Sequence, residues 1–111
     1  MKIIYNKILP IGKKFYAINL FGVLFAKGPC SETTINHEKI HTAQMRELLY
    51  VFFYIWYFFE WIVRLIQYRK SFTAYRNISF EREAYSNSPA PDYLCQRKFF
   101  SFLKYLSARQ S

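Results

Sequence analysis

Three patterns of apolar and polar positions follow one another along this chain. From Ile3 to Phe25, two apolar runs are separated by the turn residues at positions 10–14, which predicts strands forming a β-hairpin. From Cys30 to Ser88 there is neither glycine nor proline, which is typical of a long helical stretch. After a break marked by two prolines, Asp92 to Ser107 has the spacing of an amphipathic helix. This order predicts an α+β fold, mostly α, with one domain over residues 1–111.

The centre of the helical stretch is apolar on every side. Between Leu48 and Ile66 only Glu60 and Arg64 are charged, and their i,i+4 spacing allows them to pair. A helix without a polar side lies in a core or in a membrane, and this one approaches the roughly 20 residues of a span. Five of its residues are Tyr or Trp, which prefer the membrane interface. The predicted partner is a membrane surface, or a bilayer around a single embedded helix (48–66). The alternative is a cytoplasmic protein with this helix in its core.

The helix before this segment carries the only two histidines of the chain. They belong to the HExxH sequence His37-Glu38-Lys39-Ile40-His41, and Ser and Thr residues at 31–34 offer N-caps for its helix. Four residues apart on a helix, His37 and His41 lie on one face and can bind one Zn²⁺. Glu38 is placed to act as the general base that takes a proton from a zinc-activated water. The alternative is a surface helix that carries these residues by coincidence.

A catalytic zinc needs a third protein ligand, and no third histidine exists, so a carboxylate must serve. The candidates are Glu81 and Glu83, which face nearly opposite ways on a helix, so that only one can reach the metal. Glu81 shares its face with Ala84, whose small side chain allows the two helices to approach closely. We therefore predict Glu81 as the ligand. Glu83 is the alternative ligand, and is otherwise a solvated acid near Arg82 or Arg76.

An HExxH motif followed by a helical Glu-x-x-Ala resembles the gluzincin metallopeptidases, and is closest to the CAAX-prenyl-protease and HtpX type. The run from His37 to Gln44 also resembles small metallopeptidase domains of unknown function that carry HExxH-x-x-Gln. The resemblance implies zinc ligands at His37, His41 and Glu81 and a catalytic base at Glu38. Where the family has Asp in its second motif, this chain has Tyr85, so Tyr85 or Gln44 is expected to orient a ligand histidine.

The net charge and the composition limit the classes of binding partner that the sequence predicts. The net charge is +9 and 22% of the residues are aromatic, which suits either nucleic acid or an anionic membrane surface. No RNP pattern, Gly-rich loop or zinc-finger spacing is present, so nucleic acid is not predicted. Cys30 and Cys95 either form one disulfide or remain thiols, and no cleaved signal peptide is expected.

The sequence thus predicts a zinc metallopeptidase that hydrolyses a peptide or protein substrate. The alternative is a non-catalytic, zinc-binding, membrane-associated structural or interaction protein. An intact Glu38 favours the enzyme, because a purely structural site has no use for a general base. The oligomeric state is left open.

Overall fold

The computed structural model describes residues 2–6 and 17–106 of the chain. Within them, three strands form one sheet in the order β1-β3-β2: β1 (Lys2–Tyr5), β2 (Ala17–Leu20) and β3 (Val23–Ala26). Five α-helices follow: α1 (Glu32–Glu47), α2 (Val51–Tyr68), α3 (Ser71–Arg76), α4 (Ser79–Asn87) and α5 (Tyr93–Gln96). A 3₁₀ helix covers Ser101–Tyr105. The predicted α+β fold, with strands first and mostly helices after them, is confirmed.

The hairpin lies within the second apolar run, where the sequence analysis placed a single strand. β2 and β3 are antiparallel and are joined at Phe21 and Gly22, whose φ angles of 52° and 87° are those of a tight hairpin turn. The Asn19 side chain accepts the Gly22 N–H at 2.9 Å and stabilises the turn. β1 joins the sheet parallel to β3 and does not form the hairpin. The predicted turn at residues 10–14 lies outside the described residues.

Asn19 also attaches the sheet to α1. It is 6% exposed, and its Nδ2 donates to the Glu38 carbonyl and to Thr42 Oγ1, both at 2.9 Å. The hairpin is therefore anchored to the backbone of the HExxH motif itself. Asn19 interrupts the apolar pattern of its strand, and its side chain forms the contact that holds the sheet against α1.

The long helical stretch predicted from Cys30 onwards is not one continuous helix, and the motif helix does not run on into the apolar segment. α1 ends at Glu47, and α2 leaves it at 110° after a break in which Leu49 and Tyr50 adopt φ angles of 55° and 63°. The break lets α2 fold back against α1 and the hairpin, where Tyr54 donates to the Asn19 carbonyl and accepts the Phe21 N–H. Among the described helices, none is by itself long and apolar enough to span a membrane, and the bent pair α1 and α2 passes that test only together.

The predicted C-terminal helix over Asp92–Ser107 is also corrected. It divides into α5 and the 3₁₀ helix, because Arg97 is extended and turns its side chain towards Glu47 and Glu83. The Phe100 N–H then donates to Glu47 as well, at 3.0 Å. The buried ion pairs and this backbone contact hold the segment in a shape that a regular helix would not allow.

α4 is held against the core at its first turn. The Glu60 carboxylate of α2 accepts the Ser79 N–H at 2.5 Å and the Ser79 hydroxyl at 2.6 Å, which satisfies the exposed donors of a helix N-terminus. Next to it, Phe80 is fully buried, with its ring centroid 4.5 Å from that of Phe53 and 4.6 Å from that of Phe102. The predicted Glu60–Arg64 pair is present, at 3.4 Å. These contacts fix the rotation of α4, and with it the direction of its glutamates.

Candidate metal centre

α1 and α4 bring three potential metal ligands together. Ser31 caps α1, with its Oγ accepting the Thr34 N–H, so the helix is regular through the motif and stacks His37 and His41 one turn apart. Their Nε2 atoms are 3.1 Å apart. Oε1 of Glu81 lies 3.2 Å from Nε2 of His37 and 3.0 Å from Nε2 of His41. The three side chains form a buried group that could hold a metal ion.

Glu81 presents a single oxygen to the histidines. Its other oxygen, Oε2, accepts a hydrogen bond of 2.7 Å from the Tyr57 hydroxyl of α2. Ala84, one turn later on the same helix face, is completely buried, so the small residue expected at a close helix approach is indeed inside. Tyr57 was not singled out from the sequence. It lies in an apolar run in which nothing marks it as a partner of the site.

Gln44 determines which nitrogen of His41 is available to a metal. Its Nε2 faces two acceptors, the Phe80 carbonyl at 3.1 Å and Oε1 of Glu83 at 2.9 Å. The amide oxygen must therefore be the atom that lies 2.7 Å from Nδ1 of His41, so this nitrogen carries the proton. That assignment leaves Nε2 as the nitrogen facing His37 and Glu81. Tyr85 and Gln44 are the two residues expected to orient a ligand histidine, and Gln44 is the one that lies within hydrogen-bonding distance of His41.

The electrostatics of the group favour a cation at its centre. Burial alone would lower the pKa of His41, but the charge of Glu81 and its hydrogen bond outweigh burial and raise the pKa to about 9. Burial would raise the pKa of Glu81, but His41 and His37 outweigh it and lower that pKa well below its usual range. A neutral His41 would point a lone pair at an acceptor-only oxygen 3.0 Å away. A proton or a metal ion between them removes this repulsion.

Glu38 is buried beside the group, with 9% of its surface exposed. Burial raises the pKa of its carboxyl to about 7, with His41 opposing the shift and Glu81 adding to it. A carboxyl group with this pKa can both accept and return a proton near neutral pH. This is the property that a general base requires.

Glu83 does not join the ligand group, and it is not the solvated acid that the sequence suggested as its alternative role. It is completely buried, and its carboxylate accepts bonds from Gln44, from the Tyr93 hydroxyl at 2.6 Å and from Nε of Arg97 at 2.6 Å. Arg97 also binds Glu47, with bonds of 2.7 Å and 3.0 Å. A chain of contacts thus runs from His41 through Gln44 and Glu83 to Arg97. Sequence reasoning missed Arg97, since nothing local marks it.

Other residues considered from the sequence take different places. Tyr85 packs its ring against His37, with centroids 4.4 Å apart, and its hydroxyl lies 2.9 Å from that of Tyr75. The Arg76 guanidinium stacks over the Tyr85 ring, 3.7 Å from its centroid. Tyr85 therefore supports His37 by packing, while a hydrogen bond from Gln44 orients His41.

A groove lies against the group on the side of Tyr57. It is open, has a volume of about 380 Å³, and is lined almost entirely by aromatic side chains: Tyr54, Tyr57, Phe58, Trp61, Ser71, Phe72 and Tyr75. The Tyr57 ring lines the groove while its hydroxyl binds Glu81, so this side chain contacts both the groove and the ligand group. Cys30 and Cys95 are both free thiols and take no part in the ligand group.

Comparisons with known proteins gave no match: no family model, curated protein or solved structure is similar to this chain.

Proposed function

We propose that this chain is a zinc-dependent hydrolase that cleaves peptide bonds, as its resemblance to gluzincin metallopeptidases implies. The observation that carries the proposal is the convergence of His37, His41 and Glu81 in one buried group, with the buried carboxylate of Glu38 on the same helix as the histidines. Two imidazoles and one carboxylate are the protein ligands of many catalytic zinc sites. The candidate base and the candidate ligands thus occur in one place.

The separations between the ligand atoms fit zinc. Zn–N and Zn–O bonds of about 2.0–2.1 Å in tetrahedral geometry place ligand atoms about 3.3 Å apart. The three observed separations of 3.0, 3.1 and 3.2 Å are within a few tenths of an ångström of that value. Small rotations of the side chains are sufficient to accommodate the ion. Calcium is a poor fit, because it takes six to eight oxygen ligands.

Each residue has a defined task in this proposal. When bound, zinc supplies Lewis acidity that polarises a substrate carbonyl and activates water near neutral pH. Glu38 takes the proton from the attacking water and passes it to the leaving amine. Tyr57 and Gln44 hold Glu81 and His41 in their binding orientations. The aromatic groove accepts an apolar side chain of the peptide.

A second candidate function deserves a test because the ligand group is so deeply buried. His41 is 5% exposed and Glu81 is 4% exposed, and catalytic zinc sites keep an open position whereas structural ones are closed. In that case the chain would be a non-catalytic, zinc-binding structural or interaction protein. The two functions differ in what they require of Glu38.

The deciding experiment compares zinc-loaded wild type with Glu38→Gln on a peptide library, with and without anionic liposomes. Glu32→Gln is the matched control, because Glu32 is exposed on the same helix. We expect wild type and Glu32→Gln to cleave at apolar residues, and Glu38→Gln to keep its zinc but lose cleavage by at least about 100-fold. Zinc bound to all three proteins with no cleavage in any condition would favour the structural function. A wild type unable to take up zinc would refute both.

A further inference from the structure

From Val51 to Ile66, the exposed side of α2 is entirely apolar. Between Val51 and Ile66 every exposed side chain is a hydrophobic one, and spacings of three and four residues place them on one side of the helix. We call this surface the apolar face, and its members are Val51, Phe52, Ile55, Phe58, Phe59, Val63 and Ile66. Their exposed fractions range from 47% to 72%. Single exposed hydrophobic residues are ordinary, whereas a continuous face of this kind marks a site of contact.

The charged side chains of α2 are on the inner side. Glu60 and Arg64 are 8% and 9% exposed and pair with each other inside the protein. A surface helix of a water-soluble protein carries its charged side chains outwards, whereas α2 packs apolar side chains such as Phe53 inwards and exposes no charged side chain from Val51 to Ile66. The polarity of α2 therefore suits an apolar medium on its outer side.

The charges on the protein surface indicate which apolar medium contacts the outer side of α2. Of the seven acidic residues, only Glu32 and Asp92 are exposed, because the others face inwards. Eight basic residues in the described ranges are exposed: Lys2, Lys39, Arg46, Arg69, Lys70, Arg76, Lys98 and Lys104. Two copies of a chain with net charge +9 would repel each other, which disfavours a second copy as the occupant. Anionic lipid attracts such a surface and also receives apolar side chains.

Basic residues stand at both ends of the apolar face. Arg46 lies in the last turn of α1, just before the break that leads into α2, and Arg69 and Lys70 follow its end. Long basic side chains at helix ends reach lipid headgroups while the apolar residues between them enter the acyl boundary. We propose that the apolar face of α2 docks α2 flat on an anionic phospholipid bilayer.

This docking leaves the ligand group on the side of α2 away from the lipid. Tyr57, which binds Glu81, and Phe53, which packs in the core, lie on the inner side of the helix. Phe58 belongs both to the apolar face and to the groove, so the groove begins beside the docked surface. The inference rests on α2 and the surface charges, and stands whether or not the metal group is catalytic.

The test is flotation of the purified full chain with vesicles of phosphatidylcholine alone or with 30% phosphatidylglycerol, about one lipid in three, as in anionic bilayers. We expect wild type to float with the anionic vesicles and less with the neutral ones. Phe59→Glu, at a position 64% exposed, should weaken partition roughly ten- to hundredfold. The combined Arg69→Glu and Lys70→Glu variant should lose the preference for anionic lipid.

Tyr5→Glu is the matched control, since Tyr5 is 58% exposed and lies on β1, at an edge of the sheet and outside the apolar face. It should float like wild type, and circular dichroism should show all variants folded. Equal flotation of Phe59→Glu and wild type would overturn the proposal. Failure of the wild type to float with anionic vesicles would also overturn it. So would a wild type that sediments without lipid as a dimer, if Phe59→Glu dissociates that dimer, because the apolar face would then bind a second copy of the chain.

Discussion

Replacement of Arg97 by methionine should destabilise the protein more than any surface substitution. The Arg97 guanidinium donates to Glu83 at 2.6 and 3.1 Å and to Glu47 at 2.7 and 3.0 Å. The Arg97 side chain is only 4% exposed, and that of Glu83 is 0% exposed. Methionine keeps most of the length and the apolar stem but removes the charge and all four hydrogen bonds. Glu83 is then a buried carboxylate without its cation.

The size of the loss in the free energy of unfolding follows from the unpaired carboxylate that Arg97→Met leaves in the interior. Four charge-assisted bonds at about 1.5–3 kcal/mol each would sum to most of the stability of a small protein, so simple addition overstates their net effect. Forming the pair also required the desolvation of both charges, which offsets much of that gain. The cost of removing one partner of a buried ion pair, about 3–5 kcal/mol, is the better guide. We expect Arg97→Met to lower the free energy of unfolding by that amount.

Urea unfolding followed by circular dichroism measures this change. Arg46→Met is the control, because Arg46 is exposed, and it should change the free energy of unfolding by less than about 0.5 kcal/mol. Adding Glu83→Gln to Arg97→Met removes the unpaired charge, and should restore at least about 1 kcal/mol. A loss below about 1 kcal/mol for Arg97→Met, or strictly additive effects in the double variant, would refute a buried and coupled pair.

Further predictions concern the metal group, and isothermal titration with zinc checks the first three. Glu81→Gln should weaken zinc binding more than about 100-fold, whereas Glu83→Gln, which keeps an oxygen acceptor, should change it only a few-fold. Gln44→Leu should weaken binding roughly 10- to 100-fold because His41 loses the acceptor that orients it, and an exposed Gln96→Leu should not. Tyr57→Phe should weaken it about tenfold through the lost bond to Glu81. At a zinc concentration about 100-fold above Kd, EDTA should lower the Tm by roughly 10 °C or more in a thermal melt.

Local periodicity was sufficient to predict most of the ligand group. The spacing of His37 and His41 fixes their common face once the segment is helical. The opposed directions of Glu81 and Glu83, together with the small Ala84, predicted which carboxylate would face the histidines. The structure places Glu81 there because Glu60 holds the start of α4, a contact that connects residues 19 positions apart. The direction in which each glutamate side chain points thus follows from its place on the helix. The position of α4 in the fold depends instead on a contact between residues distant in sequence.

The break between α1 and α2 shows what local patterns cannot reveal. Leu49 and Tyr50 are neither Gly nor Asn, yet both have positive φ, which costs a side chain of ordinary size about 1 kcal/mol or more. Contacts formed only after the chain turns offset this cost. The Phe21 ring lies 4.9 Å from that of Tyr54 and 6.4 Å from that of Tyr50. A tertiary contact between the hairpin and α2 therefore ends a helix that the sequence alone would continue.

Arg97 illustrates the same limit for the C-terminal segment. Its partners Glu47 and Glu83 precede it by 50 and 14 residues, so no spacing rule connects them. The apolar spacing of residues 92–107 predicts a helix, but the carboxylates of Glu47 and the buried Glu83 require a cation at a place that a straight helix would not reach. Satisfying these charges outweighs local helix propensity, because an unpaired buried carboxylate costs several kcal/mol.

The inward placement of the acidic residues connects the interior of this protein with its surface. Glu81 faces the histidines, Glu83 and Glu47 hold Arg97, and Glu60 holds the start of α4. Because acids that serve these internal roles are withdrawn from the surface, eight exposed basic residues stand against only two exposed acidic ones in the described ranges. The same demand turns the charged residues Glu60 and Arg64 of α2 inwards, on the side of core residues such as Phe53. An apolar segment that the sequence leaves ambiguous between core and membrane thus serves both surfaces: its inner side packs in the core, and its apolar face forms the outer surface.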